Sequence, residues 1–197
     1  MNVKRTAEIA FAAAGLALTA PVLGAIAVAI VVTDGPPVFF RQERVGLNGS
    51  RFRIHKFRTM TVDHGGPTVS AAGDSRITGV GRCLRKSKLD ELPQLIDVVV
   101  GSMSIVGPRP EVPEYVEKWP TGTAPMILSV RPGITDPASV KYRNEAELLA
   151  QADDAAAYYE NVLLPAKAQM YVDYVRDRSF VGDMKIVGQT LVAVLRG

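Results

Sequence analysis

Residues 9–33 read IAFAAAGLALTAPVLGAIAVAIVVT, 25 consecutive uncharged and mostly apolar residues with a proline, Pro21, at the centre. As one straight helix the run is about 37 Å long, enough to cross a hydrocarbon core of roughly 30 Å. A cleaved signal peptide would use Lys4 and Arg5 as its basic flank and AIA at 25–27 as its cleavage site. Against it, VAIVV follows directly, and one cysteine, Cys83, rules out an internal disulfide. A soluble buried helix would need protein on all faces, and 25 uncharged residues is long for that. A plain span competes with a hairpin that dips into the bilayer and returns. Basic residues mark the cytoplasmic side, yet Lys4 and Arg5 precede the run while Arg41, Arg44, Arg51, Arg53, Lys56 and Arg58 follow it. Arms at 9–20 and 22–33, about 18 Å each, are too short to cross alone, and Pro21 would kink the helix between them. The residues alone leave hairpin and span level.

TDGPP at 33–37 is a turn cluster, dividing a membrane segment (1–34) from the rest (35–197). A hydrophobic fraction of 47% and a charged fraction of 22% allow a sizeable core in the latter. The net charge of +3 points to anionic partners such as phosphates or acidic lipid. Two histidines, His55 and His64, and one cysteine exclude a His- or Cys-based metal cluster. No nucleic-acid module is recognisable, and aromatics are only 7%. Runs at 38–41 and 52–57 around GLNGS read as a β-hairpin turning at Asn48-Gly49. The 63–75 segment is a polar, glycine-rich loop. Helices are expected over about 76–87, 91–100, 144–163, 166–177 and 180–195, with Pro165 in a first turn separating the third from the fourth. In the last, Phe180, Met184, Val187, Leu191 and Leu195 share one face, which reads as core. The fold class is α+β, mainly helical with a small hairpin.

The polar chemistry concentrates around KSKLDELPQLID (86–97). Pro93 lacks a backbone N–H, so it belongs in the first turn of a helix. That makes Asp90 the expected N-cap, with Ser87 as the alternative. In isolation the pair Asp90-Glu91 reads best as capping. Neighbouring carboxylates are also natural Mg²⁺ ligands, because Mg²⁺ takes one or two carboxylates plus substrate phosphates. GPRP (107–110) stiffens the backbone around Arg109, suiting bidentate phosphate contact. RPGITD (131–136) repeats the device with Arg131. Lys56 and Arg58, with Arg82, Arg85, Lys86 and Lys88, complete a basic set that would surround a diphosphate if the fold gathered it.

Taken in order, KFRTM, LRKSKLDELPQLIDVVVGSMSIVGPRPE and RPGIT after a proline-broken apolar N-terminus resemble the bacterial sugar transferase family. These are monotopic phosphoglycosyl transferases, here similar to the compact catalytic form. The resemblance covers nearly the whole chain and implies transfer of a phospho-sugar from a UDP-sugar to polyprenyl (undecaprenyl) phosphate, releasing UMP. It implies Asp90 as nucleophile, Glu91 as its partner in metal or proton handling, and Mg²⁺ as cofactor. Lys56, Arg85 and Arg109 match basic positions of the family and receive phosphate or ion-pair roles. Arg131 and Arg143 are added as substrate contacts. The resemblance also favours the re-entrant hairpin with interfacial helices, at the cytoplasmic membrane with the catalytic domain on its cytoplasmic face. Homo-oligomerisation stays open.

Two departures stand out. Where the family breaks its helix with Ser-Pro, this chain has Ala20-Pro21, and Thr19 is the nearest hydroxyl to serve freed carbonyls. After RPGIT the family commonly continues Gly-Trp and ends GRN, whereas here Asp136-Pro137 follow and Tyr142 precedes Arg143. That segment is expected near nucleotide or sugar, so the sugar does not transfer with the resemblance. Competing readings are a non-catalytic, membrane-anchored protein binding anionic lipid, and a Mg²⁺-dependent lipid diphosphate phosphatase.

Overall fold

The computed structural model describes residues 3–62 and 70–195; His64 and the first half of the glycine-rich loop lie outside them. The apolar N-terminus forms one helix, α1 (Val3–Asp34), long and apolar enough to cross a membrane by length and composition. Helical structure runs through Pro21 without the expected interruption. The Thr19 hydroxyl donates to the Gly15 carbonyl (2.7 Å), two residues before the Ala17 carbonyl that Pro21 leaves without its N–H partner.

Both halves of α1 dock on the same body. Near its start, Arg5 donates to the Met103 carbonyl (2.8 Å) and to that of Val98, while the Ser104 hydroxyl donates to Glu8 (2.5 Å). Ala12 is buried against Ile54, Val98 and Met103. Near its end, Ile26 and Ile30 pack on Phe57 and Leu84. The opposite face leaves Phe11, Leu18, Val28 and Val32 exposed.

The hairpin forms with the turn where Asn48-Gly49 predicts it, both residues at positive φ (54° and 78°). It is built from two short antiparallel ladders. β1 (Phe39–Phe40) pairs with β4 (Lys56–Phe57), and β2 (Glu43–Val45) with β3 (Arg51–Arg53). α2 (Gly79–Ser87) ends at Lys88, whose left-handed φ of 57° turns the chain into a tight turn, Leu89–Glu91. α3 (Gln94–Val100) follows. A second, parallel pair joins β5 (Ser104–Val106) to β6 (Gly133–Thr135), with α4 (Pro113–Glu117) and α5 (Ala124–Ile127) in the crossover. This pair requires glycine twice. A Cβ on Gly133 would lie 2.1 Å from the Gly107 nitrogen, and one on Gly107 would lie 2.4 Å from the Arg131 carbonyl oxygen.

Beyond β6 come α6 (Pro137–Lys141), α7 (Glu145–Ala150) and α8 (Ala155–Tyr158). A wide π turn, Tyr159–Leu163, leads directly into α9 (Leu164–Asp177). The expected helix over 144–163 is therefore interrupted after Ala150. Pro165 sits in the first turn of α9 but separates nothing, because a first-turn proline gives up no bond that the π turn needs. Tyr115, Trp119, Leu149, Leu163, Leu164 and Tyr171 form the main core.

α10 (Phe180–Leu195) has the expected extent but the opposite orientation. Phe180, Met184 and Leu191 are exposed and Val187 is half-buried, while Asp183 and Ile186 face inward. The side chain of Leu195 lies outside the described residues. The helix is apolar nearly all round, so hydrophobicity does not choose its buried face. Asp183 does: it accepts from Lys4 (2.6 Å) and from the Tyr174 hydroxyl (2.8 Å), satisfying a carboxylate that is 2% exposed.

Candidate active site

Asp90 and Glu91 do not cap a helix. They occupy the tight turn ahead of α3, and neither this turn nor α3 has a side-chain cap. The Ser87 hydroxyl bonds backwards to the Cys83 and Leu84 carbonyls instead. The left-handed Lys88 explains the difference, since it ends α2 and points the next residues inward rather than along a new helix axis.

The acids meet cations from two separate parts of the chain. Lys56, on β4, reaches Asp90 Oδ2 (2.8 Å) and Glu91 Oε1 (3.2 Å). Arg109, between Pro108 and Pro110, forks onto Glu91, with Nη1 3.2 Å from Oε2 and Nη2 on Oε1. Both oxygens of Glu91 are thus occupied. Burial pushes the Glu91 carboxyl up, but Arg109 and Lys56 outweigh it and hold the group well below the usual carboxylate range. Glu91 in turn drives the Arg109 guanidinium well above its ordinary value.

Asp90 differs. It is 2% exposed, and Oδ1 has no hydrogen-bond partner among the described residues. Leaving a buried polar group unpaired costs about 1–3 kcal/mol, and more for a charge. A carboxylate with one oxygen fixed by Lys56 and the other carrying free lone pairs is arranged to donate electrons. The same free oxygen suits one coordination position of a metal. Among the described residues no group of three or more acidic, His or Cys side chains is placed to hold an ion. A Mg²⁺ ion that takes one or two carboxylates and is completed by substrate phosphates would find that one free oxygen at Asp90, with Glu91 joining only where Arg109 or Lys56 yields.

Arg85, at the end of α2, stands alongside. Its Nε donates to the Thr59 hydroxyl (2.9 Å) and its Nη1 to Ser70 (3.1 Å). Burial lowers its affinity for a proton, and Asp90 partly offsets that. The remaining expected contacts lie elsewhere. Arg131 is exposed and donates to the Gly101 carbonyl (2.9 Å) at the end of α3. Arg143 lines an open groove between α6 and α10, with Val140, Gln189 and Val192.

Asp136, in the segment expected near nucleotide or sugar, is fully buried. It caps α6, accepting from the Ser139 N–H (2.8 Å) and the Ser139 hydroxyl, with Pro137 in the first turn. Burial pushes its carboxyl up, opposed in part by the Ser139 bonds and then by Arg109. The departure from the family pattern thus builds a helix start.

Other contributors carry no signal of their own in the sequence. Glu111 receives the Tyr159 hydroxyl (2.7 Å), and Arg44 donates to the Pro110 carbonyl (3.0 Å), so the loop presenting Arg109 is fastened from behind. Asp97 accepts from the His55 backbone N–H (2.9 Å) and approaches its Nδ1 (2.7 Å), fixing the strand beside Lys56. Only the PRPE run marks Glu111, by its closeness to Arg109.

The profile described as bacterial sugar transferase matches residues 1–197. A UDP-glucose:undecaprenyl-phosphate glucose-1-phosphate transferase of Caulobacter vibrioides is 36% identical over 98% of this chain and 69% of its own length. A protein of the same name from Escherichia coli K12 is 36% identical over 95% of this chain, but only 39% of its own length is matched. A UDP-N-acetylgalactosamine-undecaprenyl-phosphate N-acetylgalactosaminephosphotransferase of Aeromonas hydrophila is 35% identical over 99% of this chain and 44% of its own length. The chain thus spans about two thirds of the Caulobacter protein and less than half of the other two. With its acids, cations and motifs in this arrangement and the profile matched from end to end, the chain belongs to the bacterial sugar transferase family.

Proposed function

We propose that this chain is a phosphoglycosyl transferase moving a phospho-sugar from a UDP-sugar to polyprenyl phosphate. The observation that carries the reading is Asp90: buried, oriented by Lys56 through Oδ2, and free at Oδ1. In the first step an Oδ1 lone pair attacks the sugar-linked phosphorus. The bond from that phosphorus to the bridging oxygen breaks, and UMP leaves with the electron pair. In the second, an oxygen of the lipid phosphate attacks the same phosphorus and the P–Oδ1 bond breaks, regenerating the carboxylate. One phosphoanhydride replaces another, so no ATP enters. Lys56, Arg85 and Arg109 offset the charge of the diphosphate, without which a carboxylate is a poor nucleophile towards an anion. Mg²⁺, held at Asp90, would supply further charge neutralisation.

The membrane geometry supports this chemistry. Lys4 and Arg5 at the start of α1 and Ile30 near its end all rest on the catalytic body, whereas the ends of a simple span would part to opposite sides of the bilayer. We read α1 as re-entrant, with both ends and the catalytic body on the cytoplasmic face. The exposed apolar face of α10, tied to the start of α1 through Lys4–Asp183, lies in the interface. In a Cys83→Ser background, a cysteine placed at residue 2 should react only from the cytoplasmic side; labelling from outside refutes the hairpin.

The decisive assay is UMP release from a panel of UDP-sugars, with and without polyprenyl phosphate and Mg²⁺. Metal-dependent UMP release with formation of a lipid diphosphate sugar is expected for at least one donor. Release of inorganic phosphate from a lipid diphosphate, without UMP, would favour the phosphatase reading instead.

A further inference from the structure

The loop that presents Arg109 is held differently on its two sides. Towards β6 the hold is backbone to backbone: the Gly107 N–H donates to the Thr135 carbonyl (3.1 Å), and the Pro108 carbonyl accepts from the Gly133 N–H (3.0 Å). Past Arg109 buried side chains take over. The Tyr159 hydroxyl donates to Glu111 Oε1 (2.7 Å). Glu111 Oε2 accepts from the Val112 N–H (3.2 Å) and lies 3.8 Å from Arg44 Nη1. That same Nη1 donates to the Pro110 carbonyl (3.0 Å), one residue from Arg109. Glu111 is 6% exposed and Tyr159 4%. Tyr159 comes from the π turn, a rare geometry that is frequent near functional sites. Its ring is pinned in turn, 5.0 Å from that of Tyr115 and 4.8 Å from Lys167 Nζ, which pairs with Glu145.

A buried charged cluster is a poor source of stability, since well-packed apolar residues of similar volume often do as well or better. What it supplies is direction, because a hydrogen bond weakens steeply away from its line. Direction matters at Arg109, whose two nitrogens must meet both oxygens of Glu91 beside Asp90. We propose that Tyr159 is a positioning residue for phospho-sugar transfer: through Glu111 it fixes the Pro110 side of the loop, and so the orientation in which Arg109 meets Glu91 and the diphosphate. The inference rests on the transferase reading given above. Without the hydroxyl, Glu111 Oε1 is buried and unpaired, the carboxylate turns towards Arg44, and the Pro110 side of the loop moves with it. Arg109 then keeps its charge and loses its aim. A misplacement of about 1 Å caused far from the chemistry costs up to about a hundredfold in rate.

A double-mutant cycle separates aim from stability. The full chain in detergent or nanodiscs is given a UDP-sugar labelled in its sugar, without lipid acceptor, and protein labelling is timed in single turnover, where slow rates stay measurable. Tyr159→Phe should label about tenfold more slowly, with KM for the UDP-sugar within about twofold of wild type. Glu111→Gln should be slowed to a similar degree, and the two together no further than either alone, as for residues acting as one unit. The deciding background is Arg109→Lys, which keeps a cation opposite Glu91 but lacks the fork. There Tyr159→Phe should slow labelling by less than about twofold, while lowering the melting temperature by the same few degrees as it does in the wild type. A wild-type labelling rate in Tyr159→Phe overturns the inference. So does an undiminished tenfold loss in the Arg109→Lys background, which would mark a general loosening of the fold. If Glu111→Gln fails to fold, the cycle between Tyr159 and Arg109 decides by itself. A wild type that neither releases UMP nor takes up label overturns the transferase reading, and the inference with it.

Discussion

Asp90 and Asp136 look alike in the sequence and are opposites in the structure. Each stands just ahead of a proline near a helix start, in LDELP and in TDP, and each is almost completely buried. Asp136 has both carboxylate oxygens engaged by Ser139, and the result is a helix cap. Asp90 has one oxygen on Lys56 and the other without a partner among the described residues. A buried carboxylate whose acceptors are all filled is structure. One whose acceptor is left open, with its other oxygen on Lys56, carries a stored cost that substrate or metal can relieve.

The contrast is broken most sharply by removing charge at each position. Asp90→Asn should lower turnover roughly a thousandfold or more, as loss of a nucleophile does, while leaving the melting temperature unchanged or raised. A variant that turns over at even a tenth of the wild-type rate would return Asp90 to the structural class.

Arg109→Ala tests the pair that frames Asp90. Leaving Glu91 buried with half of its partners gone should cost about 3–5 kcal/mol at neutral pH. The sign with pH follows from the lowered Glu91 carboxyl. A depressed native pKa contributes stability that is complete above the unfolded value of about 4.3 and is lost as pH falls through the native one. The deficit of the variant relative to wild type should therefore hold steady from pH 7 to about 4.3 and shrink as pH falls below it. Denaturant titrations across that range check it, and a deficit that grows in acid would contradict the arrangement.

Asp136→Ala should have the smallest effect, about 1–2 kcal/mol for a lost cap. UMP release in the first half-reaction should stay within a few-fold of wild type. A loss of donor specificity with intact stability would show instead that Asp136 reads the substrate.

The outcomes at particular residues show what the sequence exposes. Asn48-Gly49 was decisive because a local turn depends on backbone freedom alone, and it formed where expected. The limits of α10 were legible for a similar reason, whereas its rotation was not: apolar residues surround it, and Asp183 reaches across to Lys4 and Tyr174 from distant parts of the chain. The parallel pair β5–β6 left no trace in periodicity, because three-residue strands are shorter than the pattern that would reveal them. Capping by Asp90 was the natural local reading of a carboxylate ahead of Pro93. A left-handed Lys88 overrode it, and nothing in the local sequence announces a positive φ at a lysine.

The sequence by itself determined that the chain has a long apolar N-terminus, a basic hairpin, an acid pair before a proline and a stiffened arginine. Those are properties of neighbouring residues, and the family resemblance rested on them. Only the tertiary structure decided that Lys56, Asp90, Glu91 and Arg109 meet while Arg131 and Arg143 stand apart, and that both ends of α1 rest on one body. Only it separated a satisfied aspartate from an unsatisfied one. The physical reason is that hydrogen-bond satisfaction of a buried group is set by donors brought in from anywhere in the chain, and a one-dimensional text does not carry that distance.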